Sequence, residues 1–142
     1  MLELYSRVDC AFTDAEKEEC IPVLCRIVEL AQIVRKHGLL AVGDVEIAKE
    51  QNFFLKHGLQ LAFDATHPDI IREILQTIIL SDAREGAELL SRMIIAQGIV
   101  SLALGETPHL IAYRLTGMLG EEHSKKAADY AEKACLRAEN WG

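Results

Sequence analysis

Asp82-Ala83-Arg84-Glu85-Gly86-Ala87-Glu88-Leu89-Leu90-Ser91-Arg92-Met93-Ile94-Ile95-Ala96-Gln97-Gly98-Ile99-Val100-Ser101-Leu102-Ala103-Leu104 is the stretch that decides the fold class. Ala87, Leu90, Ile94, Gln97, Ile99, Val100 and Leu104 recur at helical spacings, while Ile95 and Leu102 add apolar surface on a further face. A helix that is apolar on more than one side must be enclosed, either by other helices of the chain or by a second copy of it. Gln97 and Ser101 interrupt the apolar run, which falls short of the about 20 residues needed to cross a bilayer, so no membrane insertion is expected.

Working outward, Gly105 ends this helix and Thr107-Pro108 opens the next, because proline in a first turn forgoes an amide hydrogen the helix does not use. That helix runs through Tyr113 and Leu115 to Leu119, and Gly120 separates it from a last helix over 121–139 carrying Ala127, Ala131, Ala134 and Leu136. Upstream, Thr66-His67-Pro68 starts a helix with Ile70, Ile71, Ile74 and Leu75. Asn52 opens one in which Phe54, Leu55, Gly58, Leu59, Ala62 and Phe63 share a face, and Asp44 is read as the cap of a short helix to Gln51. Thr13-Asp14-Ala15-Glu16 has the form of a capping box, and Pro22 should break the chain near Cys20. From there Leu24, Ile27, Val28, Ala31 and Val34 form a stripe, with Arg26, Glu29 and Arg35 facing water and Gly38 as the stop. No segment alternates as a strand. The expected architecture is all-α, a compact bundle of about seven or eight helices.

A shift of 40 residues brings Gly58 onto Gly98, Pro68 onto Pro108, Ile70 onto Leu110, Ile71 onto Ile111 and Leu75 onto Leu115. Two helical corners with the same capping chemistry account for this, as does an internal duplication.

The chain has 142 residues, a length that suits one domain spanning 1–142. Half of it is hydrophobic but only 6% aromatic, so aliphatic side chains must fill the interior, and Phe53, Phe54, Phe63, Met93 and Tyr113 are expected there. A net charge of -7 with scattered basic residues argues against nucleic acid as a partner. Met1-Leu2-Glu3-Leu4-Tyr5 lacks the basic start of a secretory signal, and Cys10, Cys20, Cys25 and Cys135 form no CxxC pair, which suits reduced thiols and a cytoplasmic setting.

The segment from Ile27 to Ala41, with Val28-Glu29-Leu30-Ala31 and Arg35-Lys36-His37-Gly38-Leu39-Leu40-Ala41, resembles the region after the second membrane span of MotA-type flagellar stator subunits, the MotA/TolQ/ExbB proton-channel family. Phe54-Leu55-Lys56-His57-Gly58-Leu59-Gln60-Leu61, then Asp64-Ala65-Thr66-His67-Pro68 and Ile71-Arg72-Glu73-Ile74-Leu75, is similar to that family's FLKKGLQL, DGTDP and IREIL elements. Ile94-Ile95-Ala96-Gln97-Gly98-Ile99-Val100-Ser101-Leu102-Ala103-Leu104-Gly105-Glu106-Thr107-Pro108-His109 resembles its segment after the fourth span. Together these cover about residues 25–119, with a short connection near Ser81 to Arg92 where the family has two spans. The resemblance implies a cytoplasmic helical region without ion conduction, acting through a protein partner such as a flagellar rotor or switch component. It departs from the family at Gly43, where many relatives are acidic, and at Ala65, where the family has glycine.

Arg35, Lys36, Asp44, Glu46, Lys49 and Glu50 concentrate mixed charge about a glycine turn and are the expected partner-binding residues. An alternative, a metal- or ligand-binding bundle, would be built on the acid and histidine pairs Asp64 with His67 and Glu106 with His109. His37, His57 and His123 read as exposed and isolated. With no catalytic constellation, phosphate loop or cofactor motif, a non-enzymatic interaction module is expected. Homo-oligomerisation is expected too, with the 82–104 helix either as its interface or as the buried centre of the bundle.

Overall fold

The computed structural model describes residues 12–139, so Cys10 and the N-terminal sequence lie outside the described residues. Among the described residues there are eight helices and no strand: α1 Asp14–Glu19, α2 Ile21–His37, α3 Leu39–Lys49, α4 Phe53–Phe63, α5 Pro68–Asp82, α6 Gly86–Ala103, α7 Pro108–Gly117 and α8 Gly120–Ala138. The capping box forms at α1. The Thr13 hydroxyl accepts from the Glu16 amide at 3.2 Å, and Glu16 Oε1 accepts from the Thr13 amide at 2.8 Å. Pro22 sits in the first turn of α2, so the break falls at Cys20 as its chemistry requires.

Helix α6 occupies the centre of the bundle. Leu90, Met93, Ile94, Ile95, Ile99 and Val100 are wholly buried, and α1, α2, α4, α5 and α7 all pack against it. It has the length and mean hydropathy, 1.2, of a candidate membrane span, but 61% of it lies inside the protein, as the core helix of a bundle must. Of the two readings of this helix, interface or buried centre, the structure has the buried centre. The helix begins at Gly86, not Asp82, because α5 continues to Asp82 and Ala83 turns the chain at φ 50°. The connection is therefore only residues 83–85, and Gly86 to Arg92 are already helical.

Two glycines let the helices approach. A Cβ on Gly58 would lie 2.9 Å from Cγ1 of Ile99, joining α4 to α6, and one on Gly98 would lie 2.6 Å from Cγ2 of Ile27, joining α6 to α2. Phe54 and Met93 are core residues as expected and Phe63 is half-buried, but Phe53 and Tyr113 are 82% and 68% exposed. Phe53 follows the cap residue Asn52 on the outward side of α4, and Tyr113 lies two residues beyond the buried Ile111, so helical rotation turns both away from the core. His123, read as exposed, is buried at the start of α8, with Nε2 3.7 Å from Asp14.

The 40-residue repeat is a repeat of backbone geometry. Thr66 donates to the Leu61 carbonyl at 3.2 Å and Glu106 to that of Ser101 at 3.1 Å. Ile71 and Ile111 donate to the carbonyls of His67 and Thr107, both at 3.0 Å. Each corner is a helix closed by a six-to-one bond, a left-handed residue, and a helix opened by proline. Ile71, Ile111, Leu75 and Leu115 are fully buried. The left-handed residue is Gly105, φ 75°, in the second corner but Ala65, φ 60°, in the first. An L-residue there costs about 1–2 kcal/mol, offset in part by the greater unfolded freedom of glycine, about 0.5–1 kcal/mol. Ala65→Gly should therefore raise stability by about 0.5–1 kcal/mol, seen as a higher urea midpoint at unchanged slope, whereas Gly105→Ala should lower it.

Candidate functional site

The mixed-charge corner is built by Gly38. Its φ of 83° closes α2 through an amide bond of 2.7 Å to the Val34 carbonyl, and α3 starts at the next residue. Asp44 is thus in the middle of α3 and caps nothing, because a helix already under way at Leu39 leaves no free amides at position 44.

The six expected partner-binding residues divide into two groups. Glu46 and Glu50 turn inward: the Glu46 side chain is only 4% exposed and that of Glu50 9%. Both meet Arg26, whose Nη2 lies 2.8 Å from Glu46 and whose Nε lies 3.2 Å from Glu50, with Glu29 at 3.4 Å. Arg26 is not the water-facing residue its helical position suggests. Burial works against its charge, but hydrogen bonds to Glu46 and Glu50 outweigh this and raise its pKa above the usual arginine value. Arg35, Lys36, Asp44 and Lys49 face outward. Lys36 Nζ donates to the Glu139 carbonyl at 3.2 Å, tying the end of α2 to the end of α8, and Lys49 stays 60% exposed beside Glu46. Beneath this corner Ile33, Val42 and Ala138 form a small apolar cluster apart from the main core.

The acid and histidine pairs do not converge. Asp64 accepts from Gln60 Nε2 at 2.9 Å, and His67 Nδ1 accepts from the Asp69 amide at 3.1 Å as the cap of α5. Glu106 accepts hydrogen bonds from Nε and Nη2 of Arg114 at 2.8 and 2.7 Å, bonds that hold its carboxyl below the usual glutamate range, and His109 packs edge-on against Tyr113. Among the described residues no three His, Cys, Asp or Glu side chains are grouped as a metal site. Each of these side chains is engaged locally, within or beside its own corner: His67 caps α5, while Asp64, Glu106 and His109 are taken by Gln60, Arg114 and Tyr113.

Described residues line several surface clefts. One of about 720 Å³ runs between α2, α7 and α8. Small side chains at Ala112, Ala128 and Ala131 line it, with Arg35, Tyr113 and Glu132 also on its walls. A second, about 530 Å³, holds Arg26 and Lys126, the latter 2.6 Å from Glu18. A third, about 350 Å³, contains exposed Phe53 together with the Arg84 and Glu88 pair. Cys20 is shut in at the α1 to α2 junction, its Sγ 3.4 Å from the Ala87 carbonyl, and burial pushes its pKa up to about 11.

Two outcomes check this arrangement. Arg26→Ala should cost about 3 kcal/mol, because it strips Glu46 and Glu50 of their inward cation, while Asp44→Ala should change stability by less than about 0.5 kcal/mol; paired urea titrations compare them. Cys20 should resist iodoacetamide at pH 7.5 in the folded protein and react on denaturation, as followed by peptide mass spectrometry, because its thiolate is scarce until burial is lost.

No family model matches the chain, and no solved structure matches it. It is 30% identical over 107 residues to Motility protein A of Borreliella burgdorferi, a match that takes in 75% of this chain and 40% of that protein. The aligned portion is thus about two fifths of the length of the relative. The identity points to a MotA-like relationship.

Proposed function

We propose that this chain is a non-catalytic protein-protein interaction module with a motility-related role, acting in the cytoplasm and not itself conducting ions. The similarity to Motility protein A carries the reading. Support comes from the way the fold sorts its charges. Glu46 and Glu50 hold α3 in place through Arg26, leaving Lys36, Asp44 and Lys49 on an outward surface at the α2 to α3 corner. Exposed charges of this kind add little to folding but select partners and steer encounter. The partner proposed is a flagellar rotor or switch component that meets this corner with complementary charge.

The purified chain, immobilised and exposed to extract of its native cell, should retain rotor or switch proteins identified by mass spectrometry. Lys36→Glu with Lys49→Glu should weaken that capture at least about tenfold, equivalent to about 1.4 kcal/mol, with helical circular dichroism unchanged. Capture that survives both reversals removes this corner as the contact. Failure of the wild-type chain to retain any motor component removes the motility reading.

A further inference from the structure

The 720 Å³ groove between α2, α7 and α8 differs from the other two described clefts in the sign of its unpaired charges. In the second, Arg26 is bonded to Glu46 and Glu50, and Lys126 to Glu18, leaving only the exposed cation Arg137 without such a bond among the described residues. In the third, Arg84 is bonded to Glu88, and Arg92 to Asp82 while lying 4.9 Å above the Phe54 ring, leaving only the exposed anion Glu19. The groove alone of these three holds both signs: Arg35 and Glu132 are both exposed, and neither has a hydrogen bond or ion pair among the described residues. Gln32 and Lys36 beside them are already taken, both by Glu139.

We propose that this groove is the interface between two copies of the chain, related by a two-fold axis. A two-fold interface brings one patch against itself, so it must carry both partners of each contact. This patch does. Arg35 of one copy faces Glu132 of the other, and the reciprocal pair forms at the opposite end. The apolar part has the same character: Tyr113 is a large exposed ring, and Ala112, Ala128 and Ala131 offer the shallow surface into which such a ring packs. Exposed Leu110 and Leu136 lie one helical turn from Tyr113 and Glu132 on the same two helices, adding apolar surface beside the groove of the kind a stable interface of about 800 Å² per partner requires. A central anchor such as Tyr113 supplies affinity, while the charge pairs fix register. The proposal does not rest on motility, because it concerns the purified chain alone.

The test is sedimentation equilibrium of the full chain and of two charge reversals, Arg35→Glu and Glu132→Arg, each checked for wild-type helicity. The wild-type chain should be a dimer at micromolar concentration. Each reversal alone places like charges across the axis twice and should weaken dimerisation at least about tenfold. An equimolar mixture of the two variants places opposite charges at both contacts and should recover dimers, as heterodimers, with near wild-type affinity. That recovery in trans cannot come from a pair within one chain. A wild-type chain that is monomeric at 100 times the expected concentration, single variants that dimerise normally, or a mixture no tighter than its components would each overturn the proposal.

Discussion

Helix α6 is apolar around most of its length, with Glu88, Ser91 and Arg92 confined to its first turns, and the structure is arranged to enclose it. Five helices pack against it, and in two of those contacts there is no room for so much as a methyl group, since Gly58 lies over Ile99 and Gly98 over Ile27. The close approach leaves mainly aliphatic side chains to fill the core, which is how a chain with 6% aromatic residues reaches a close-packed interior. The same enclosure determines which surfaces remain. With most of α6 covered, what the molecule presents to others comes chiefly from the outer faces of the helices around it.

On those outer faces, charge placement separates internal cohesion from surfaces open to contact. Arg26 gathers three carboxylates from α2, α3 and the segment before α4 into one partly buried cluster. Lys36 and Gln32 tie α2 to the end of α8. Side chains that are not drawn into such ties, Asp44 on α3 and Arg35 and Glu132 along the groove, stand on the two surfaces to which binding is assigned above. The MotA-like relationship bears on the first of these surfaces, and the physical character of the groove bears on the second.

The fold was legible in the sequence because its signals are local. Thr13 with Glu16, Asn52, Pro68, Thr107 with Pro108, and Gly38 each act within one turn of chain, and each marks a boundary the structure has. The misreadings have equally definite causes. Asp44 is a residue type that caps helices, but Gly38 had already reversed the backbone and α3 was under way. Arg26 lies on the polar side of the α2 stripe, and only tertiary structure brings Glu46 and Glu50, 20 and 24 residues on, to meet it. The groove was invisible for the same reason, since Arg35 and Glu132 are nearly a hundred residues apart. Phe53 and Tyr113 were assigned inward by size, whereas helical rotation decides exposure.

Helix α3 is joined to the rest differently from its neighbours. Its buried residues are only Val42, Gly43 and Glu46, and its apolar footing is the small cluster with Ile33 and Ala138, the half-buried Leu39 and Ile47 at the edge of the main core, and Gly43 against the Phe63 ring. Little apolar area opposes its detachment, so the Arg26 clasp carries much of the free energy that keeps it docked. Helix α3 therefore opens more readily than α6, with amide hydrogens that exchange by local excursions while those of α6 wait for global unfolding. A partner that grips Asp44 and Lys49 would be holding a readily released helix, and its grip would register as slower exchange along that helix.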